Sequence, residues 1–327
     1  MFRLRYLSYL RDYISPMIEI TRSRHAVQTF NRSVVLSKTL TMVTMSSELD
    51  IQRTFEFVKD LTLKAGEVFK CGFEGEKVVT VKDEWDLVTD YDKKIEDFLI
   101  NTLREKFPEH LFIGEEGTAG SSDQIELTDE PTWIIDPIDG TINYVNGLPI
   151  TCISIGLTVC KEPVIGIIYN PITSELYSAI KGQGAFLNGK PLKSSKTTEL
   201  KKALIEIEMF SIRFPSKDRD LRAGRLDAVT HAARGVRFMG SAALALAFIA
   251  RGALDCIYME MLKPWDIAAG VLLIREAGGT VVDAKEKEFN IMRPNIIGGV
   301  TCELVMEIKK LIIDTDLKIM RKRLKRT

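Results

Sequence analysis

Apolar residues recur along the first part of the chain's globular region at the spacing of helices. Over residues 51–68 they lie three and four positions apart, which predicts an amphipathic helix that begins near Ser47. A second helical pattern follows 86-DLVTDYD-92 and ends before Pro108. The β-branched run 78-VVTV-81 between them predicts a strand. Each helix has one apolar face, which it is expected to bury.

After a strand predicted at 111–116, the pattern over residues 133–180 changes to short apolar runs separated by Gly, Pro and Asn, which is typical of strands. The pair Asn188-Gly189 stands between apolar residues and predicts a tight hairpin turn. The overlapping segment 184-GAFLNGKP-191 matches a Walker-type loop, but Pro191 replaces the Ser or Thr that would hold magnesium, so nucleotide binding there is not expected. The predicted strands are 111–116, 133–136, 152–160, 164–169 and 176–180.

The second half of the chain alternates helices and strands. Helices are predicted at 241–251 and 265–277, and strands at 255–260 and 280–284. Gly278-Gly279 closes the second of these helices. This order of elements predicts an α+β or α/β fold built in layers.

Acidic residues stand where several of these elements begin or end. In 131-PTWIIDPIDGTINYVNGLP-149, Asp136 and Asp139 follow a buried strand, Glu115 and Glu116 follow another, and Asp266 opens a helix. Two carboxylates about 4 Å apart repel by roughly 4 kcal/mol at an effective dielectric constant near 20, so a converging set needs protons or cations. Oxygen ligands without His or Cys select a hard ion, Mg²⁺ or Mn²⁺.

Residues beside these acids add to the predicted site. Pro137 fixes the turn, so the carbonyl oxygen of Ile138 is expected to point inward as one more ligand. Gly140-Thr141 offers backbone N–H groups that suit a phosphate. The competing interpretation is that Asp136 and Asp139 are turn residues and that Asp266 is a helix cap. The joint pattern of DPIDGT directly after a buried strand favours the metal site.

Composition narrows the class of protein. The 327 residues are 45% hydrophobic and 28% charged, as in an ordinary globular protein. No uninterrupted apolar run reaches about 18 residues, so stable membrane insertion is not expected. The five cysteines contain no CxxC pair and the three histidines lack ligand spacing, which argues against disulfides, zinc and histidine chemistry.

Charge is distributed unevenly and suggests three parts. Residues 1–47 hold seven Lys/Arg and two acids, residues 48–317 hold 32 basic and 43 acidic residues, and residues 318–327 hold six Lys/Arg and no acid. The acidic middle argues against nucleic acid as a partner. We therefore expect an N-terminal extension at 1–45, a catalytic domain at 46–316 and a basic tail at 317–327. A cytoplasmic location is expected, or a mitochondrial one if the extension is a transit peptide.

Four blocks in this order resemble the inositol monophosphatase family of magnesium-dependent, lithium-sensitive phosphatases. They are 86-DLVTDYD-92, 113-IGEE-116, 133-WIIDPIDGTINY-144 and 264-PWDIAAG-270. The resemblance implies a layered αβαβα sandwich, usually a homodimer, that hydrolyses inositol monophosphates to myo-inositol and phosphate with a metal-activated water. The segment 206-EIEMFSIRFPSKDRD-220 departs from the family pattern where substrate selectivity would be set.

The resemblance also implies a role for each site residue. Mg²⁺ ions would be held by Glu115, Asp136, the Ile138 carbonyl, Asp139 and Asp266. Thr141, paired with Asp92, would orient and deprotonate the attacking water. The phosphate would be held by the amides of Gly140 and Thr141. The substrate-binding residues implied are Glu115, Asp139, Gly140, Thr141, Gly240, Ser241, Ala242, Glu260 and Asp266.

Two alternative functions stay open at this point. One is a phosphatase of the same fold that acts on another sugar phosphate or on a 3′-phosphonucleotide, because such enzymes would share the metals and differ in the pocket. The other is a scaffold that has lost catalysis. Every expected metal-ligand side chain is still an acid, which disfavours the scaffold.

Overall fold

The protein is described here by a computed structural model that covers residues 50–83, 86–118, 126–208, 212 and 218–325. The predicted extension 1–45 and the predicted helix start at Ser47 lie outside these residues.

Two N-terminal helices form the first layer of the fold. Helix α1 (Ile51–Glu74) begins after Asp50, whose carboxylate accepts a hydrogen bond from Arg53 N at 3.0 Å and caps the helix. Strands β1 (Val79–Asp83) and β2 (Asp86–Thr89) form an antiparallel hairpin, and helix α2 (Asp90–Lys106) follows. Both helices bury their apolar faces on the same side of a seven-stranded sheet.

That sheet is the second layer. Its strands in chain order are β3 (Leu111–Gly114), β4 (Thr132–Asp139), β5 (Cys152–Val159), β6 (Glu162–Asn170), β7 (Glu175–Ile180), β8 (Gly184–Leu187) and β9 (Lys190–Pro191). They lie side by side in the same order, with β3 and β4 parallel and the other neighbours antiparallel. Short helices α3 (Glu115–Thr118) and α4 (Thr141–Val145) follow β3 and β4.

The remaining elements form the other three layers. They are, after a short 3₁₀ turn, β10 (Leu204–Ile207), α5 (Arg219–Ala232), β11 (Gly235–Arg237), α6 (Ala242–Ala250), β12 (Cys256–Met259), α7 (Pro264–Glu276), β13 (Thr280–Asp283), β14 (Ile296–Gly299) and α8 (Cys302–Leu324). Their five strands form a mixed sheet in the order β11-β10-β12-β14-β13.

Helices α6 and α7 lie between the two sheets, and two glycines let α7 approach the larger one. A Cβ atom at Gly156 would come within 2.8 Å of Ala268 Cβ, and one at Gly166 within 2.7 Å of the Ala269 carbonyl oxygen. Helices α5 and α8 cover the outer face of the five-stranded sheet. The order of layers is therefore helices, sheet, helices, sheet, helices, and the expected αβαβα sandwich of class α+β is confirmed.

Several local predictions can be compared with this architecture. The predicted hairpin is confirmed, since Asn188 and Gly189 have φ angles of +50° and +75° between β8 and β9. The predicted strand 133–136 is longer, because β4 continues through Pro137 to Asp139. The predicted domain end at residue 316 falls inside α8. Within the described residues, every helix is too short or too polar to cross a bilayer.

Candidate functional site

Three aspartates from two layers meet at one point. Asp136 and Asp139 lie at the end of β4, and Asp266 is the third residue of α7. One carboxylate oxygen from each lies within 4.8 Å of the others. Asp136 and Asp139 are buried and Asp266 is partly buried. The convergence predicted from the sequence is therefore present for these three residues.

A β-bulge explains how two residues on one strand reach the same site. Residues three apart in a regular strand point to opposite faces of the sheet. In β4, Asp136 pairs with Ser154 and Asp139 pairs with Cys152, so three steps on β4 match two steps on β5. The extra residue turns the second carboxylate toward the first. The Asp-Pro-Ile-Asp sequence thus provides the break in alternation that the site needs.

Hydrogen bonds hold Asp139 in place. Its Oδ2 atom accepts from the hydroxyl of Ser241 and from Ala243 N at 3.1 Å, and Cys152 Sγ lies 3.7 Å away. Its carbonyl oxygen accepts from the Thr151 hydroxyl at 2.7 Å. Ser241 also caps α6, so the start of that helix and Asp139 are fixed to each other.

The electrostatics of the cluster indicate that it needs a counter-charge. Burial, followed by repulsion from neighbouring carboxylates, raises the pKa of Asp136 and of Asp266 well above the usual range. Burial also raises the pKa of Asp139 to about 6, although hydrogen bonds from Ser241 and Ala243 act in the opposite direction. Such a set either takes up protons or holds cations. Its donors are all carboxylate oxygens, which fits a hard divalent ion.

Glu115 borders the aspartates at the start of α3. Burial raises the pKa of its carboxyl group to about 7, and Asp136 lies within hydrogen-bonding contact of it. Lys82 Nζ lies 3.4 Å from Glu115 Oε1 and also contacts Glu116. Lys82 was not predicted as part of the site, because a lysine in an exposed hairpin carries no signal of which acid it reaches.

A second residue that the sequence analysis missed is Glu96 on α2. Its buried carboxylate accepts hydrogen bonds from Glu116 N at 2.9 Å and from Gly117 N at 2.6 Å, and so fixes the turn that carries Glu115. A Cβ atom at Gly114 would come within 2.6 Å of this carboxylate. The available signal was an acid on the apolar side of an amphipathic helix, one residue after Ile95.

Asp92 and Thr141, predicted to act as a pair, have other partners in this structure. The Thr141 hydroxyl donates to the Ile138 carbonyl oxygen at 3.0 Å. Asp92 Oδ2 accepts from Thr89 N at 2.7 Å and from the Thr89 hydroxyl at 2.5 Å, which caps α2. Burial raises the pKa of the Asp92 carboxyl group to about 6.

Glycines shape the turn that follows the aspartates. Gly140 has φ +81°, and a Cβ atom there would lie 2.9 Å from the Gly240 carbonyl oxygen and 3.0 Å from that of Ile150. Only glycine accommodates both the positive φ and this contact. The turn therefore brings Thr141 and the start of α4 against the segment that contains Gly240, Ser241 and Ala242.

Glu260, predicted to bind substrate hydroxyl groups, is held in an ion-pair network. Both of its oxygens accept from Arg225 Nη1, at 2.9 and 2.8 Å, and Lys285 Nζ lies 2.6 Å away. Burial acts to raise the pKa of Glu260, but the positive charges of Arg225 and Lys285 outweigh it and hold the pKa below its usual range. The carboxylate borders a small cavity of about 30 Å³, together with Arg222, Leu226 and Tyr258.

The sequence was compared with protein families and with known proteins. The model of the inositol monophosphatase family matches residues 50–313. The chain is 45% identical over 251 residues to inositol monophosphatase 3 of Solanum lycopersicum, covering 76% of this chain and 92% of that protein. It is 40% identical over 259 residues to inositol monophosphatase 2 of Homo sapiens, covering 79% of this chain and 89% of that one.

Solved structures agree with the sequence relatives. The extragenic suppressor protein suhB of Bartonella henselae is 30% identical and superposes with a TM-score of 0.71, covering 80% of this chain and 98% of that chain. Inositol monophosphatase II of Staphylococcus aureus is 26% identical with a TM-score of 0.69, covering 83% and 99%. The chain therefore belongs to the inositol monophosphatase family and is a phosphoric monoester hydrolase.

Proposed function

We propose that the protein hydrolyses inositol monophosphates to inositol and phosphate, and that it uses Mg²⁺ to do so. The observation that carries this proposal is the convergence of Asp136, Asp139 and Asp266, whose oxygens lie within 4.8 Å of one another. A phosphate monoester is a dianion, and a site with this much negative charge repels it unless cations intervene. Metal-assisted phosphate hydrolysis is the chemistry that needs such a set of ligands.

The residues proposed to hold Mg²⁺ are the three aspartates, Glu115 and the carbonyl oxygen of Ile138. They form an all-oxygen set, and the raised pKa values of the acidic members reflect charge that a divalent ion would neutralise. When bound, Mg²⁺ would supply Lewis-acid chemistry, because such an ion lowers the pKa of water and neutralises phosphate oxygens. Lys82 contributes a further positive charge beside Glu115.

Asp92 is proposed as the proton acceptor for the attacking water. Within the described residues, both hydrogen bonds to its side chain reach Oδ2, which leaves Oδ1 to take a proton. A carboxyl group with a pKa of about 6 matches the requirement for a base near neutral pH. Thr141 is proposed to orient the same water through its hydroxyl group, which now donates to Ile138 O.

Substrate contacts are proposed for two groups of residues. Gly140 has the left-handed conformation and Thr141 follows it; the backbone N–H groups of these two residues are proposed to bind the phosphate. Asp139, Gly240, Ser241 and Ala242 are proposed to face the inositol hydroxyl groups. Glu260 is proposed to do so as well, with its orientation fixed by Arg225.

The function is tested by a panel of phosphate esters with purified full-length protein. Release of phosphate is measured from inositol 1-phosphate, galactose 1-phosphate, fructose 1,6-bisphosphate and adenosine 3′,5′-bisphosphate, each with Mg²⁺ and with excess chelator. The expected result is preference for inositol 1-phosphate and loss of all activity with chelator. Equal release with and without Mg²⁺ would reject the metal-dependent mechanism.

A matched pair of variants on α7 separates a local effect from a general one. Asp266→Asn removes a proposed ligand at the start of the helix and is expected to abolish Mg²⁺-dependent activity. Glu276→Gln changes an acid at the other end of the same helix, where it accepts from Gly182 N and Gly184 N at 2.8 Å. This control is expected to retain activity. Equal losses in both variants would indicate damage to the fold.

A second candidate substrate class is a nucleoside 2′-monophosphate. Structures of the Staphylococcal inositol monophosphatase II, 28% identical to this chain, contain either inositol monophosphate or 2′AMP. The same ligand set in this chain would serve either ester. Competition decides between them: if 2′AMP inhibits inositol 1-phosphate hydrolysis and is itself cleaved at a comparable kcat/KM, the substrate assignment widens to both classes.

Proposals also follow for assembly, location and domain limits. A homodimer is proposed from the family resemblance, and the half-exposed apolar side chains of Ile142, Leu148 and Phe238 are compatible with an interface. Light scattering of the purified protein would give its mass. We propose that residues 46–316 form the catalytic domain and that the protein is cytoplasmic. If a fusion protein carrying residues 1–45 is imported into mitochondria, the proposed location changes to the mitochondrion.

A further inference from the structure

An unusual carboxylate lies inside the five-stranded sheet. Glu206 stands between Ile205 and Ile207 in β10 and has no solvent exposure. Its Oε1 atom accepts a hydrogen bond from Met239 N at 2.8 Å. Among the described residues, its Oε2 atom is the one buried side-chain oxygen or nitrogen without a hydrogen-bond partner. A fully buried acid with an unpaired oxygen opposes folding, so its presence calls for a role.

The neighbouring acid, Glu208, acts on the next peptide group. Residues two apart in an extended strand point to the same side, and Glu208 Oε1 accepts from Gly240 N at 2.9 Å. Glu206 in β10 and Glu208 just after the strand therefore bind two successive N–H groups, those of Met239 and Gly240.

Asn143 binds the same segment from the opposite side. Its Nδ2 atom donates to Met239 O at 2.8 Å, with Gly240 O at 3.3 Å, and to Ile150 O at 2.8 Å. Asn143 lies on α4, two residues after Thr141. The Met239-Gly240 segment is thus held by its N–H groups from the smaller sheet and by its carbonyl groups from the helix beside the aspartates.

This segment leads directly into the active site. Ser241 follows Gly240, caps α6 and donates its hydroxyl hydrogen to Asp139 Oδ2. We propose that Glu206 is a positioning residue for the phosphatase site, which holds Met239 and thereby keeps the Ser241 hydroxyl on the carboxylate of Asp139. Glu206, Glu208 and Asn143 together hold the Met239-Gly240 segment, and we call this set of three residues the clamp. The inference deepens the proposed function, because it concerns how that site is assembled.

The protonation of Glu206 suits this role. Burial, opposed by the Met239 hydrogen bond and reinforced by the nearby Glu208 carboxylate, raises the pKa of Glu206 to about 8. At neutral pH the side chain is therefore mostly a neutral acid, which is less costly to bury than a charge. A glutamine in the same place keeps the acceptor for Met239 N and stays neutral, whereas a valine removes the acceptor.

Three variants test the inference. Glu206→Gln is expected to keep kcat within about twofold of the wild type, while Glu206→Val is expected to lower kcat about tenfold, the scale of leaving a buried N–H group unpaired. Ile205→Ala is the matched control, since it opens a cavity on the other face of the same strand and leaves the Met239 bond intact. It is expected to lower thermal stability without the change in kcat.

A double-mutant cycle separates positioning from simple loss of packing. If Glu206 acts through Ser241, then Ser241→Ala and Glu206→Val together should lower kcat no further than Ser241→Ala alone. Multiplicative effects in the double variant would overturn the inference, as would a kcat for Glu206→Gln as low as that of Glu206→Val.

A second readout does not depend on the substrate. Calorimetric titration of each folded variant with Mg²⁺ should show weaker binding in Glu206→Val and in Ser241→Ala, by about tenfold as for other groups that orient ligands, and unchanged binding in Glu206→Gln. If the wild type binds Mg²⁺ but cleaves none of the esters, the proposed function fails while this titration still tests the clamp. Equal Mg²⁺ affinity in all variants would overturn the clamp.

Discussion

Individual aspartates in this protein oppose folding in order to support a reaction. Asp136 and Asp139 are buried, with 1% and 6% of their surfaces exposed, and they lie beside Asp266 and Glu115. Repulsion among such groups destabilises the metal-free fold. The hydrogen bonds that Asp139 receives from Ser241 and Ala243 offset part of this cost. Replacing one of these acids by a neutral residue should therefore stabilise the metal-free protein.

The first prediction concerns Asp136→Asn. The amide keeps an oxygen to accept from Ile138 N, as Asp136 Oδ1 does at 3.1 Å, so the backbone should not move. Activity should fall on the order of 10³-fold, because a ligand that supports several kcal/mol of charge stabilisation is lost. With chelator present, urea titration should show that the free energy of unfolding rises by about 1–3 kcal/mol. This is less than the full repulsion between two neighbouring carboxylates.

Asp283→Asn is the control for that experiment. Asp283, the last residue of β13, is also buried, but its Oδ1 atom accepts hydrogen bonds from Lys285 N and Glu286 N, each at 2.7 Å. This variant should lose stability and keep kcat. If Asp136→Asn instead loses stability in chelator, the acids do not repel each other as described.

The second prediction is a pH dependence caused by Glu206. Its pKa is about 8 in the folded protein against 4.5 for an exposed glutamate, so the folded state holds the proton over this interval and the unfolded state does not. The cost of keeping this group un-ionised in the folded state is absent below about pH 4.5, and it grows as the pH rises to about 8, so stability is lost over that interval. The free energy of unfolding of Glu206→Gln should therefore exceed that of the wild type by a few kcal/mol more at pH 9 than at pH 5.

Urea titrations at saturating Mg²⁺ measure that difference, since the other titrating groups are common to both proteins and cancel. A difference that stays constant from pH 5 to pH 9 would show that Glu206 does not titrate in this range.

Site residues that belong to one short motif could be predicted from the sequence. Asp136, Asp139, Gly140 and Thr141 share one motif, and its chemistry can be read from neighbouring letters. Their placement around Glu115 and Asp266 required the assumption that distant segments meet. Lys82, Glu96, Asn143 and Glu206 escaped prediction because each acts on a backbone or side-chain group far along the chain, at a contact that only the tertiary structure defines.

At the scale of elements, the turn between β4 and α4 determines the geometry of the site. Gly140 passes within reach of the Gly240 and Ile150 carbonyl groups, which leaves no space for a side chain. Gly147, two residues beyond the end of α4, also has a positive φ of +71°, but a Cβ atom there would meet nothing within 4 Å. The two glycines have the same backbone requirement and different surroundings, and they form a natural comparison.

The third prediction uses this pair. Gly147→Ala should cost about 1–2 kcal/mol of stability, the price of a left-handed alanine, and leave kcat near the wild-type value. Gly140→Ala carries the same cost plus a steric conflict with two carbonyl oxygens, and should lower kcat by about 100-fold or more through displacement of Thr141 and Gly240, since a misplacement near 1 Å has that effect. Comparable kcat values for the two variants would mean that the turn does not control the site.

Element boundaries show where sequence patterns are informative. The predicted strands 152–160 and 176–180 agree with β5 and β7 to within a residue or so, because continuous apolar runs end at polar turns. Helix α5 was not predicted. Its buried positions are Leu221, Arg225 and Val229, so its inner face contains a charge where a pattern search expects an apolar residue.

At the scale of the whole molecule, α6 and α7 join the two sheets, and a buried ion-pair network joins the outer helices α5 and α8 to the residue that follows β12 in the smaller sheet. Arg225 on α5 is 7% exposed and binds Asp316 on α8 with two hydrogen bonds, at 2.7 Å from Nε and 2.5 Å from Nη2, as well as Glu260 after β12. The layer order could be inferred only from family resemblance, because periodicity does not reveal which sheet a strand joins.

The fourth prediction concerns that network. Arg225→Met should destabilise the protein by about 3–5 kcal/mol, since it removes the guanidinium that the buried carboxylates of Asp316 and Glu260 share. Lys310→Met is the control: it removes one member of an exposed pair with Asp314, where the side chains are 69% and 44% exposed, and should cost about 0–1 kcal/mol. Denaturant midpoints measure both. Equal small losses would mean that the Arg225 network contributes little.

The last prediction links metal binding to the stability of the entire fold. The proposed ligands come from β4 in the larger sheet, from α3 and from α7 between the sheets, so a bound ion joins layers that separate on unfolding. Binding to the folded state alone at 100 times the dissociation constant adds about 2.7 kcal/mol. Mg²⁺ should therefore raise the midpoint of a single thermal transition by several degrees, and excess chelator should reverse the change.

The size of this shift should increase with pH between 5 and 8, because protons compete with the ion for carboxyl groups whose pKa values are raised, to about 6 in Asp139 and about 7 in Glu115. Asp266→Asn should lose most of the shift while Glu276→Gln, at the other end of α7, keeps it. A shift that is independent of pH, or equal in the two variants, would place the ion outside the aspartate cluster. A shift that follows the protonation of these carboxyl groups would connect their unfavourable burial to the binding that makes the site functional.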